Sequence, residues 1–107
     1  MPEKTLWFKS DGLKIHGTLH LPEAPTSAIV IGAHGLMSNG NSPKQIALAE
    51  KCNAIGISYF RFDHRGCGQS EGEFKKVTTF EGRCRDLLDG IKALRDMDFM
   101  TRRIGLF

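Results

Sequence analysis

The sequence predicts an α/β domain in which an antiparallel hairpin leads into a mostly parallel sheet with helices on both faces. Three observations predict it. Apolar residues alternate on either side of an Asp11-Gly12 turn signal. Two short, nearly continuous apolar runs each end in a glycine-rich polar loop. Segments of helical periodicity lie between and after those runs.

Thr5 to Lys9 and Leu13 to Leu21 read as the two hairpin strands, the second alternating through Leu13, Ile15, Gly17, Leu19 and Leu21. Pro22, Pro25 and Thr26 break the chain before Ala28 to Ala33, whose apolar run suits a strand covered on both faces of a parallel sheet. A loop, His34 to Asn41, follows. Ser42 caps the next helix, Pro43 suits its first turn, and Ile46, Ala47, Ala49 and Cys52 form its apolar face. Ile57 to Phe62 is the next strand, which completes a βαβ unit. A second loop, Asp63 to Gly72, precedes a long helix opened by Thr78 with Glu81 as its capping-box partner. Phe80, Cys84, Leu87, Leu88, Ile91 and Leu94 make the apolar stripe of that helix. Arg103 to Phe107 begins one more strand.

A chain of 107 residues has room for one domain, and its 40% apolar and 25% charged residues are those of a globular protein. The net charge of +3 is dispersed; the densest basic groups, Lys75–Lys76 and Arg102–Arg103, read as solvated surface, so no nucleic-acid partner is expected. Cys52, Cys67 and Cys84 lack zinc-ligand spacing, and their odd number together with a charged N-terminus favours a reducing cytoplasm. No metal site is expected. No apolar run approaches the roughly 18–20 residues of a membrane span.

The hairpin, His34-Gly35 after a buried strand, and Asp63-His64-Arg65-Gly66-Cys67-Gly68-Gln69-Ser70-Glu71-Gly72 after the next together resemble the α/β-hydrolase superfamily over the whole chain. The second loop is similar to the D-x-R-G-x-G-x-S pattern of intracellular esterases, acylglycerol lipases and serine aminopeptidases. The resemblance implies a serine hydrolase of carboxylic (thio)esters or related acyl bonds, with a small-molecule acyl substrate and no cofactor. It implies that the Leu36 backbone N–H is one oxyanion donor, that Gly35 lets the backbone turn sharply, and that His34 supports the loop by hydrogen bonding. The competing reading of the first loop is a plain glycine-rich turn from strand to helix.

Gly68-Gln69-Ser70-Glu71-Gly72 matches G-x-S-x-G literally. A nucleophile elbow needs a strand running into the serine and a helix starting directly after it, and Ser70 has neither. Ser70 is therefore assigned to the structural loop with Asp63, Arg65, Gly66 and Gly68, where Asp63 and Arg65 pin the loop through local hydrogen bonds and a charge pair. Gly66, Gly68 and Gly72 do not have dinucleotide-loop spacing. His16 and His20 share a strand face without an acidic partner, and surface or edge positions fit them. His64 could face the cleft.

The superfamily order of serine, acid and histidine places all three triad members after Phe107, so the 107-residue chain, a single α/β-hydrolase portion cut before its elbow, is expected to be inactive alone. The alternative is a non-catalytic truncated product or an interaction module that pairs with another chain. The expected strand order sets Ala28–Ala33 between Ile57–Phe62 and Arg103–Phe107, which leaves the last strand as an edge through which copies could self-associate.

Overall fold

The computed structural model describes residues 3–24, 27–96 and 103–107; Pro25 and Thr26 of the expected break and Arg102 of the basic pair lie outside the described residues. Strand β1 (Glu3–Ser10) pairs antiparallel with β2 (Leu13–His20), with Asp11 and Gly12 both in the left-handed backbone conformation of a tight hairpin turn. Strand β3 (Ala28–Ala33), helix α1 (Pro43–Ala54) and strand β4 (Ser58–Phe62) form the βαβ unit. A short helix α2 (Phe74–Val77) precedes the long α3 (Phe80–Asp96), and β5 (Arg103–Leu106) follows.

The sheet order is β1-β2-β4-β3-β5; β2 is antiparallel to β4, while β3 runs parallel to both β4 and β5. All of β4 is buried, because successive side chains alternate between two covered faces. Phe60 and Phe62 join Leu6, Phe8, Ile15, Leu19, Ile29, Ile31 and Leu94 in the core under α3, whereas Tyr59 packs with Ala49 and Cys52 under α1. Ile104, Leu106 and Phe107 of the β5 edge are exposed.

Three local expectations are corrected. On α1 the buried face is Gln45, Ala49 and Cys52, with Ile46 half-buried and Ala47 exposed; Gln45 is drawn inward because its Oε1 accepts the Tyr59 hydroxyl proton. On α3 the face turned to the sheet is Gly82, Asp86, Gly90 and Leu94. Leu87 and Ile91 still pack against the core, but Phe80 (81% exposed), Cys84 and Leu88 lie at the surface. The four-residue spacing of two glycines around Asp86 outranks the apolar row, because a buried carboxylate must reach its partners whereas exposed apolar groups are tolerated.

The third correction is the start of α3. Thr79, not Thr78, is its cap, accepting the Gly82 N–H at 2.9 Å, so Glu81 is not at the capping-box position. Thr78 instead closes α2, and its hydroxyl is buried with no hydrogen-bond partner among the described residues. Thr79→Ala is therefore expected to lower stability to urea by about 1 kcal/mol, the usual worth of an N-cap, while Thr78→Val costs less or stabilises. Equal losses from the two changes would contradict this assignment.

Candidate functional site

Because β3 and β4 are parallel, the loops that leave them emerge at the same end of the sheet. The first loop, 34–41, and the second, 63–72, are joined by the His64 N–H, which donates to His34 Nε2 at 2.9 Å. That bond makes Nε2 the acceptor and leaves the ring proton on Nδ1, which donates to the Gly35 carbonyl at 2.7 Å. The Ser38 N–H adds a second donor to the same carbonyl at 3.2 Å. Across a trans peptide the N–H opposes the C=O, so the Leu36 N–H is turned away from the side of the loop that holds Gly35 O. Among the described residues no acceptor meets it.

Gly35 does not have a positive φ, so a sharp left-handed turn is not why glycine stands there. A Cβ at that position would meet open space, and glycine keeps that space clear beside the Leu36 peptide. Leu36 itself is 60% exposed. A cavity of about 200 Å³ separates Met37 and Ser38 of the first loop from Gly66, Cys67 and Phe74. Burial pushes the Cys67 thiol above its usual pKa, which keeps it protonated and a poor nucleophile.

Two buried carboxylates organise the second loop. Asp63 receives the Gly40 N–H at 2.7 Å on one oxygen, and the Gln69 N–H at 3.1 Å and His16 Nδ1 at 3.2 Å on the other. Gly68 (φ 50°) lies so close to this carboxylate that a Cβ would collide with it. Asp86, fully buried on α3, accepts from Arg65 N at 2.8 Å, Arg65 Nε at 2.9 Å and His64 Nδ1 at 3.4 Å. Arg65 reaches on to Ser10 at 3.1 Å and Asp11 at 2.9 Å in the hairpin. Gly82 gives the arginine room to pass, since a Cβ there would stand 3.1 Å from Arg65 Cδ.

The expected charge pair within the loop is thus replaced by pairs reaching outside it: Asp63 with His16, and Arg65 with Asp86 and Asp11. His16 and His20 are not surface groups. Strand β2 lies between β1 and β4, His16 has an acidic partner in Asp63, and His20 is 1% exposed with Nε2 accepting from Arg61 Nε at 2.8 Å. His64 is buried against Asp86 and does not face an open cleft. The Ser70 hydroxyl donates to Asp63 O and accepts the His16 N–H at 2.9 Å. Gly66 closes the loop by donating to Glu71 O at 2.9 Å.

Asp86 and Arg83 escaped the sequence reading. Asp86 had a signal, since glycines four residues to either side mark a close approach around it. Arg83 had none. It lies on α3 and donates to the His34 and Leu36 carbonyls at 3.4 and 3.1 Å. Among the described residues, no group of three or more His, Cys, Asp or Glu side chains could hold a metal, and no helix is long and apolar enough to cross a membrane.

The strand order, the hairpin and the paired loops define the N-terminal portion of an α/β-hydrolase domain. Est1E of Butyrivibrio proteoclasticus, solved with ferulic acid bound, superposes with a TM-score of 0.84 at 24% identity, over 94% of this chain and 41% of Est1E. The α/β hydrolase GrgF from Penicillium sp. sh18 gives 0.86 at 21% identity, over 99% and 37%. Residues 24–104 match the hydrolase family described as serine aminopeptidase, S33, and the chain belongs to that family. Thiohydrolase aneE of Aspergillus aculeatus is 39% identical over 88 residues, covering 79% of this chain and 26% of the relative. Bos taurus palmitoyl-protein thioesterase ABHD10, mitochondrial, is 36% identical over 67 residues, 63% of this chain and 22% of the relative. The chain spans about a quarter of the length of these curated relatives.

Asp86→Asn removes a buried counter-charge from Arg65, and a loss of about 3–5 kcal/mol in urea unfolding is expected, as for other broken buried pairs. A loss below about 1 kcal/mol would show that the carboxylate carries little.

Stability also responds to pH. Burial holds His20 and His34 below the usual 6.5, with Arg61 adding repulsion at His20 and the bond to Gly35 O partly offsetting burial at His34. The folded state therefore binds fewer protons than the unfolded chain, so this contribution is complete above 6.5 and declines as pH falls below it. For Asp86, burial works to raise the pKa, but hydrogen bonds from His64, Arg65 and Ser10 outweigh it and hold the carboxyl below 3.8. Its contribution is present above 3.8 and is lost as pH falls through the folded-state value. The urea midpoint should accordingly fall between pH 7.5 and 5.5 and again below pH 4; a midpoint level down to pH 5.5 would refute the histidine part.

Proposed function

We propose that this chain is the N-terminal part of a serine hydrolase that cleaves carboxylic esters or thioesters through an acyl-enzyme, and that it contributes the Leu36 N–H as one oxyanion donor. The observation that supports the reading is the doubly held Gly35 carbonyl: the Leu36 N–H opposes it across the peptide and meets no acceptor among the described residues, next to a glycine with open space about its Cα. When a serine oxygen adds to an acyl carbonyl, negative charge gathers on the carbonyl oxygen, and one fixed donor there is worth about 3 kcal/mol of barrier. The leaving alkoxide or thiolate takes its proton from the triad histidine, and water then releases the acid. The thioester option is supported by the names of the relatives, a thiohydrolase and palmitoyl-protein thioesterases.

In this reading the nucleophile, acid and histidine of the triad all follow Phe107, and the 107-residue chain is silent. Ser70, Asp63, Arg65, Gly66 and Gly68 are structural, and the Ser70 hydroxyl is occupied in both its donor and acceptor roles. Free Cys52, Cys67 and Cys84 favour a reducing compartment. The cytoplasm is our assignment, although the ABHD10 relatives are named mitochondrial.

The isolated chain should hydrolyse p-nitrophenyl butyrate and its thioester counterpart no faster than buffer. In a longer, active protein containing it, Ser70→Ala should keep activity within about tenfold. A fall of more than about a hundredfold in Ser70→Ala with the fold intact would make Ser70 the nucleophile, since removing that group typically costs far more.

A further inference from the structure

Arg83 is half-buried on α3, and among the described residues no carboxylate lies within ion-pair distance of it. A long cation drawn partly out of water without a counter-charge is unfavourable unless its donors are used. Its two terminal nitrogens are used on backbone and sulfur, while Nε is buried with no partner among the described residues: Nη1 donates to His34 O at 3.4 Å, and Nη2 to Leu36 O at 3.1 Å and Cys67 Sγ at 3.6 Å.

Three consecutive carbonyls of the first loop are therefore occupied by the protein's own donors: His34 O and Leu36 O by Arg83, and Gly35 O by His34 Nδ1 and Ser38 N. A peptide plane flips by opposite rotations of the two torsions that flank it, and glycine offers little resistance to such rotation. The Gly35–Leu36 peptide is bordered by glycine and has no neighbouring side chain against the Gly35 Cα, so resistance to a flip comes from hydrogen bonds: His34 Nδ1 and Ser38 N–H on its own carbonyl, and Arg83 on the carbonyls to either side. Such a flip would exchange an outward N–H for an outward carbonyl, which repels an oxyanion.

We propose that Arg83 is a positioning residue for the Leu36 N–H: by holding the two peptide planes on either side of Gly35–Leu36, it keeps that peptide from flipping. His34 sets the orientation of the central plane and Arg83 locks its borders. The guanidinium charge also acts on the ring, adding to burial in keeping His34 neutral, the form that donates from Nδ1 while accepting at Nε2. The inference rests on the oxyanion reading of Leu36 given above.

The test uses a longer, active protein that contains this chain. Arg83→Gln should lower kcat about ten- to a hundredfold with KM within threefold and thermal midpoint within 2 °C, because only transition-state stabilisation is lost. Arg83→Lys, whose ammonium reaches one carbonyl at a time, should recover about half of the logarithmic loss. An unchanged kcat in a folded Arg83→Gln variant overturns the inference, as does a loss in a folded variant that appears only as raised KM. Should Arg83→Gln fail to fold, Arg83→Lys decides: a three- to tenfold lower kcat at constant KM supports positioning, and wild-type kcat overturns it. Replacing the Leu36 amide by an ester through semisynthesis separates the two claims. A loss of a hundredfold or more there with no effect at Arg83 leaves the oxyanion donor standing and removes Arg83, whereas wild-type kcat in the ester overturns the oxyanion reading itself.

Discussion

The Asp86 carboxylate is taken entirely out of water, and such burial is tolerable only because three donors from the consecutive residues His64 and Arg65 of the second loop converge on it. Arg65 supplies its backbone and guanidinium, His64 its ring, and the same guanidinium continues to Ser10 and Asp11 at the hairpin turn. From His64 the chain of bonds passes to His34 and so to the first loop. One carboxylate thereby relates α3, both loops and the hairpin. A network of this kind is cooperative, and each member holds its geometry because the others hold theirs.

Asp63 has a parallel role at the end of β4. Its oxygens gather the first loop through Gly40, the far side of its own loop through Gln69, and β2 through His16. The two loops are thus fastened from both sides, by Asp63 toward the hairpin and α1 and by Asp86 toward α3. The polar residues of D-x-R-G-x-G-x-S go almost wholly into this fastening. The serine of the literal match to a nucleophile motif within it has its hydroxyl bonded to backbone groups, as donor to Asp63 O and as acceptor from His16 N–H.

Local signals made much of the fold legible. Alternation and Asp11-Gly12 located the hairpin, the apolar runs located β3 and β4, and Ser42-Pro43 located the start of α1. What stayed hidden depends on partners far away in sequence. The rotation of α3 answers to Arg65 and His64 rather than to its own apolar row, so Phe80 and Leu88 could not reveal it. His20 looked like a surface histidine because nothing nearby in sequence announces Arg61 across the strand pair. In the candidate site, His34, Gly35 and Leu36 were named from the loop's resemblance to the hydrolase superfamily, since the pattern alone fits a plain glycine-rich turn, while Arg83 was one more arginine on an amphipathic helix, and only the tertiary fold brings it against the loop carbonyls.

The second loop is also stitched to β2 by two main-chain bonds, Glu71 N–H to Lys14 O and Asp63 N–H to His16 O, and by one to a side chain, Lys14 N–H to the Glu71 carboxylate. Its anchor points are more than forty residues apart in the chain, so it belongs structurally to the hairpin as much as to the strand it leaves. For anyone transplanting this loop or trimming the scaffold, the hairpin is therefore as necessary a part of the piece to be moved as α3, whose Asp86 holds His64 and Arg65.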